Sequence, residues 1–275
     1  FFTSAIAERL VKGVTLERDL RHALDNGEFV LHYQPQVAIK SGEIVGVEAL
    51  IRWRTADGRI LPPASFLPVA EETGLILPIG DWVLKTACAQ SKAWQDEGLQ
   101  PLRMAVNIST RQFLQPDLPD VVASVLEDSG LSPDSLELEI TETTAMQDED
   151  LARATLKKLR RLGVHVSLDD FGTGYSSLSY LKRLPVDCVK IDGSFLRGIK
   201  HNNDDAAILV ATIEMARNLG LRVVAEGVET EQQLEFLSER RCYAAQGFLF
   251  SEPVPAARMG EMLKYPKILV ALGHR

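Results

Sequence analysis

From about residue 28 onward the chain alternates short apolar, β-prone runs with longer stretches at helical spacing, the pattern of repeated β/α units. The strand-like runs are 29–33, 44–50, 103–107, 136–140, 164–168, 188–191, 222–225 and 247–250, and eight of them suit a closed barrel. Helical spacing is read over 81–97, 119–129, 148–162, 204–219 and 231–240. Gly98, Gly130, Gly163 and Gly220 each follow one of these stretches, where a left-handed terminating residue belongs. No Pro/Gly/Ser-rich linker divides the alternation, so the 275 residues read as one α/β domain, a TIM-type (β/α)₈ barrel. Residues 1–27 precede the first strand, with a helical pattern at Leu16, Leu20 and Leu24 that looks like an entry segment.

Charge and cysteine content narrow the partners. Thirty basic against 38 acidic residues leave a formal charge of −8, which argues against long nucleic acid and against an anionic membrane. A small phosphorylated ligand stays open if metal ions offset the repulsion. The three cysteines, Cys88, Cys188 and Cys242, are too few and scattered for a disulfide framework or a zinc cluster, and point to a reducing, cytoplasmic setting. No apolar run approaches the ~18 residues that span a bilayer. Opening on Phe1 rather than Met, the chain is expected to be part of a longer polypeptide whose other regions carry a sensor or a membrane anchor.

Most of the strand-like runs carry polar residues that their apolar bodies do not predict. Gln34 and Glu48 close the first two; Asn107, Glu139, Glu142, Asp169, Asp170, Lys190, Asp192, Glu226, Glu229 and Gln246 occupy or follow later ones. Any single one is ordinarily a helix cap or a solvated loop residue. Together, at the C-terminal rim of a barrel, carboxylates within ~10 Å of one another would repel strongly unless cations neutralise them. The donors are hard oxygens and none of the five histidines sits beside them, which disfavours Zn²⁺ and favours Mg²⁺ or Mn²⁺. The adjacent pair Asp169-Asp170 suits two ions ~3.5–4 Å apart, an arrangement used to hydrolyse phosphate esters.

Around this set, the segment 171–177 is a glycine-rich loop leading into an expected helix at 178–183, shaped to position the aspartates or act as a lid. Arg52 and Arg54 flank Trp53 and are candidates for phosphate contact beside an aromatic wall. Lys190 reads either as an ammonium orienting a water or phosphate oxygen, or as a Schiff-base nucleophile of an aldolase; neighbouring acids favour the first. Trp82, Trp94, Met146 and Met215 lie at helical spacing and read as core.

These residues stand in motifs that resemble the EAL family of cyclic-di-GMP phosphodiesterases: Glu48-Ala49-Leu50 followed by Ile51-Arg52-Trp53, Tyr33-Gln34-Pro35, Val106-Asn107-Ile108-Ser109, Glu139-Ile140-Thr141-Glu142, 169–177, Lys190-Ile191-Asp192, Glu226-Gly227-Val228-Glu229 and Gln246-Gly247-Phe248. The resemblance covers roughly 16–265 and implies a modified barrel with one antiparallel strand. It implies that Glu48, Asn107, Glu139 and Asp169 hold one metal, that Asp169 bridges to a second held partly by Asp170, and that Glu142 steadies the loop at 170–177. By the same resemblance Glu226 is the general base, Lys190 helps handle the attacking water, and Gln34, Leu50, Arg52, Asp192, Glu229 and Gln246 line or support the substrate site. The implied reaction is metal-dependent hydrolysis of cyclic di-GMP to linear pGpG, lowering the second messenger; the alternative is a catalytically silent cyclic-di-GMP receptor. A homodimer and an upstream GGDEF or sensory module are also implied, with 1–15 as linker, 16–265 as the barrel and 266–275 as a tail. Phe248 departs from the family's usual Tyr, and 242–245 lacks an acid often found there.

Overall fold

The structure, a computed structural model, describes residues 15–172, 181–198 and 203–268. Ten strands follow in order: β1 (Phe29–Ala38), β2 (Ile44–Arg54), β3 (Ile60–Leu61), β4 (Arg103–Asn107), β5 (Leu136–Thr141), β6 (His165–Phe171), β7 (Cys188–Ile191), β8 (Arg222–Ala225), β9 (Ala244–Ala245) and β10 (Val254–Pro255). They form one sheet in the order β10-β1-β9-β8-β7-β6-β5-β4-β2-β3, and an added β1–β2 pairing closes it. Eight strands make the barrel, with β3 and β10 as outriggers. Strand β1 runs antiparallel to both neighbours, β2 and β9, while the remaining barrel pairs are parallel. The modified α/β barrel with one inverted strand is therefore the observed fold.

Alternation along the strands divides the side chains into two sets. Leu136, Leu138 and Ile140 of β5, Val166 and Leu168 of β6, and Val189 and Ile191 of β7 join the main core with helix residues such as Leu84, Val122 and Leu156. The opposite set faces the barrel interior. Within it Cys188, Val224 and Ala244 form a small apolar cluster of their own. Above that cluster, toward the C-terminal ends of the parallel strands, the interior turns polar.

The helices over Ile76–Asp96, Leu118–Ser129, Glu149–Leu162, Asn203–Asn218 and Glu231–Glu239 match the expected stretches, the first starting five residues earlier. Gly98, Gly130, Gly163 and Gly220 all take positive φ, at 83°, 66°, 92° and 75°. Trp94 is buried, and Trp82, Met146 and Met215 pack against the core. The expected strand 247–250 is instead a turn, in which the Phe250 amide donates to the Gly247 carbonyl at 3.1 Å; the eighth barrel strand is Ala244–Ala245. Its aromatic residues mimic a strand, but the Phe250 and Ser251 amides both turn back to the Gly247 carbonyl. The glycine-rich loop beyond Gly172 and the first half of the expected helix, 178–180, lie outside the described residues.

Candidate active site

Each functional side chain is aimed by its strand. Glu48 and Gln34 face each other directly in the β1–β2 register, and both sit mid-strand rather than at a strand end, because the β1–β2 hairpin continues past the barrel rim. Asn107 is opposite Glu139 across β4–β5. Lys190 lies on β7, and Glu226 follows β8 directly. Successive residues of a regular strand point to opposite faces, so Asp169 and Asp170 could not both serve one site without a distortion. The β6–β7 register shifts between Leu168 and Phe171, and Asp170 takes a left-handed φ of 54°. This irregularity brings the two aspartates together: carboxylate oxygens of Asp169, Asp170 and Glu226 lie within 4.8 Å of one another.

At the centre is Lys190, 1% exposed. Its Nζ lies 2.6 Å from Glu226 Oε1, 2.7 Å from Glu139 Oε2, 3.4 Å from Glu48 Oε2 and 3.6 Å from Asp169 Oδ1. Burial alone would lower its pKa, but the carboxylates of Asp169, Glu139, Glu226 and Glu48 outweigh that and hold it well above the usual lysine range. An amine held this way by four carboxylates favours the ammonium reading over the Schiff-base one. One positive charge does not balance the acids around it. Burial and the neighbouring Glu48 raise the Glu139 carboxyl well above the carboxylate range. Burial likewise pushes Glu226 to about 8, with Asp169 and Glu48 adding to it against the pull of Lys190. Asp170 is raised by burial and by the charges of Asp169 and Asp192.

Glu48 is the exception. Burial works to raise it, yet the Lys190 ammonium and two amide donors bring it below its ordinary value. Asn107 Nδ2 donates to its Oε1 at 2.7 Å and Gln246 Nε2 to its Oε2 at 2.5 Å. Gln246 Nε2 also reaches Gln34 Oε1 at 2.9 Å, and Gln34 Nε2 donates to the Ser251 carbonyl at 2.9 Å. Gln246, at the end of β9, thus holds the Glu48 carboxylate and is itself held by Gln34 of β1.

A model of the EAL domain matches residues 17–253. The chain belongs to the EAL-domain family. It is 47% identical over 259 residues, 94% of its length, to the bifunctional diguanylate cyclase/cyclic di-GMP phosphodiesterase MucR of Pseudomonas aeruginosa, of which it spans 38%. It is 44% identical over 264 residues to the cyclic di-GMP phosphodiesterase NbdA of the same organism, spanning 96% of this chain and 33% of that one. A solved structure described as the PaMucR phosphodiesterase in complex with c-di-GMP superposes with a TM-score of 0.87 at 48% identity, covering 89% of this chain and 99% of that one.

In this EAL domain a cleft opens above the cluster, lined by Gln34, Glu48, Leu50, Asp169, Glu226, Glu229 and Gln246, all named from sequence, and by Gly227, Gly247 and Phe248. Phe248, 61% exposed, stood out in the sequence only as a departure from Tyr; the structure makes it an aromatic wall of the cleft. Trp53 is not that wall. Its position on β2 has the opposite parity to Glu48, so it packs against Phe29 and Phe66 and donates to Glu28 at 2.9 Å. Arg52 shares the Glu48 face further along β2, outside the cleft lining, and donates to the Ile51 carbonyl at 2.8 Å. Arg54 is exposed. Asp192 accepts from the Ser194 amide at 2.9 Å, close enough to Asp170 to raise it. Buried Glu142 accepts from the Gly172 amide at 3.2 Å, at the start of the glycine-rich loop.

The donor set suits a hard divalent cation on the structure's own terms. Asp169 Oδ1 and Glu139 Oε1 are buried oxygens with no hydrogen-bond donor among the described residues, and the cluster carries more negative charge than Lys190 compensates.

Proposed function

We propose that this chain hydrolyses one phosphodiester bond of cyclic di-GMP to give linear pGpG, using Mg²⁺ or Mn²⁺. The observation that carries the reading is the ring of Glu48, Glu139, Asp169 and Glu226 around a single ammonium, beneath a cleft walled by an exposed aromatic ring. Glu48, Asn107, Glu139 and Asp169 would hold one ion, and Asp169 with Asp170 a second. Bound there, the ions would neutralise phosphoryl oxygens and make a water easier to deprotonate.

The chain's own groups do the rest. Glu226, which lines the cleft with its carboxylate beside Asp169 and Asp170, takes the proton of the attacking water. Lys190 stays charged and donates hydrogen bonds within the ring, keeping Glu139 and Glu226 fixed. Gln246, itself held by Gln34, holds Glu48, and Phe248 offers a face on which a purine can stack. Asp192 and Glu229 support the loops after β7 and β8, Arg52 meets the ligand at the outer rim, and Glu142 anchors the 170–177 loop. A homodimer is part of the proposal, as are a cytoplasmic setting, an upstream GGDEF or sensory module and the boundaries 1–15, 16–265 and 266–275. The relatives' greater length supports the further module. Among the described residues no helix is long and apolar enough to cross a membrane.

The test is product analysis of purified chain incubated with cyclic di-GMP, with and without divalent metal. Metal-dependent pGpG, lost in Glu48→Ala, is the expected result. Saturable binding of cyclic di-GMP with no pGpG under any metal would overturn hydrolysis in favour of a silent receptor.

A further inference from the structure

Far from the acidic cluster, at the N-terminal ends of β6, β7 and β8, lies a groove of about 570 Å³. It is roomier than the cleft above Lys190, at about 280 Å³, and falls within the range of small-molecule sites. The groove reaches Arg222, the first residue of β8, which stands four residues before Glu226, so the two sites lie on the order of 13 Å apart along the strand. The ionisable side chains lining it are Arg160, His165, Lys182, Asp187 and Arg222.

The single acid among them is already engaged. Asp187 Oδ2 accepts the Val166 amide at 3.0 Å and lies 3.5 Å from His165 Nδ1. Arg222 pairs with buried Glu137 at 3.0 Å. Arg160 and Lys182, both exposed, have no ion-pair partner among the described residues, and the same holds for Lys157, Lys158 and Arg161 on the helix that carries Arg160. Residues 151–168 contain no Asp or Glu. Elsewhere cations on helices pair with an acid one turn away, as in exposed Arg21 with Glu17, exposed Arg258 with Glu261 and half-buried Lys92 with Asp96. In a chain of net charge −8, this flank is a local reversal of sign. Partly buried Leu219 and Leu221 add an apolar wall to the groove.

We infer that this groove is a second binding site, for a small polyanion of nucleotide size whose phosphates meet Arg160 and Lys182 and whose planar body lies against Leu219 and Leu221. The inference is independent of the phosphodiesterase reading, since it involves none of the residues of the acidic cluster.

The experiment is calorimetric titration of the purified chain with ATP and, separately, with inorganic tripolyphosphate, in EDTA so that no cation bridges an anion to the acidic cluster. One saturable site per chain is expected, weakening with salt, with ATP the tighter ligand. Charge reversal at both Arg160→Glu and Lys182→Glu should weaken binding by at least about tenfold. A control with equal charge change elsewhere, Arg18→Glu with Arg258→Glu, should stay within about twofold. All four positions are exposed, and circular dichroism verifies that each variant is folded. No saturable binding of either probe at millimolar concentration would overturn the site. So would equal losses in the two double variants, and equal affinity for the two probes would overturn the nucleotide-sized ligand.

Discussion

Lys190 does two jobs that pull in different directions. Its ammonium lies within ion-pair distance of four carboxylates, and it occupies space at the heart of the ring those carboxylates form. Removing it without metal leaves buried acids facing one another, the situation in which a broken buried pair costs about 3–5 kcal/mol. Lys190→Met should therefore lower the melting temperature by roughly 10 °C in EDTA, using ~2–4 °C per kcal/mol for a domain of this size. Millimolar Mg²⁺ should restore part of the loss. An unchanged melting curve in EDTA would mean the acids do not need the ammonium. Glu226 lies at the edge of the ring and is more exposed than Glu139, with 20% of its side chain open against none. Glu226→Gln keeps the shape and removes the base. Binding of cyclic di-GMP should stay within a few fold while the hydrolysis rate falls by about 10²–10⁴. Parallel losses in affinity and rate would assign Glu226 to binding instead.

At the scale of elements, the site depends on close approaches between loops that follow neighbouring strands. A Cβ on Gly247 would fall 2.2–2.7 Å from the backbone N, C and O of Val228, and that backbone immediately follows Glu226 and Gly227. Gly247→Ala must push the two segments apart, destabilising by roughly 1–3 kcal/mol or more and shifting Gln246 off Glu48. Gly220 is the comparison: it has φ 75°, but a Cβ there would meet nothing within 4 Å among the described residues, so Gly220→Ala carries only the left-handed penalty of about 1 kcal/mol. Thermal melts and cyclic di-GMP hydrolysis on both variants check this, with activity lost only in the first. Elements also mark the limits of sequence reading. Carboxylates inside apolar strands stand out, so Glu48, Glu139 and Asp169 were legible, as were the helices closed by left-handed glycines. The direction of β1 was not, because alternation is the same for a strand running either way; the family resemblance implied one antiparallel strand without saying which, and the pairing of β1 with β2 and β9 identifies it. Phe248-Leu249-Phe250 looks like a strand locally, but the Phe250 and Ser251 amides close back on the Gly247 carbonyl and make it a turn. Trp53 beside Arg52 could be assigned to a face only once the β1–β2 register was known.

For the molecule as a whole, the acidic mouth is a charge imbalance held in place by a well-packed barrel, and folding must bring these acids together whether or not cations are present. Anything that binds the native arrangement and not the unfolded chain stabilises the fold by mass action. If the cluster takes divalent ions, Mg²⁺ at about a hundred times its dissociation constant should add ~2.7 kcal/mol, or roughly 5–10 °C in melting temperature. The gain should saturate with concentration rather than rise steadily as general screening would. Asp169→Asn, which removes one of the carboxylates shared by the Lys190 ring and the Asp170–Glu226 group, should abolish most of it. The same substitution relieves repulsion, so its melting temperature in EDTA should equal or exceed that of the unaltered chain. Arg160→Glu, at the opposite end of the barrel, should leave the Mg²⁺ response intact. A melting temperature indifferent to Mg²⁺, or an equal response in Asp169→Asn, would separate the acidic cluster from metal binding and remove the physical basis for a metal-dependent reaction at this mouth.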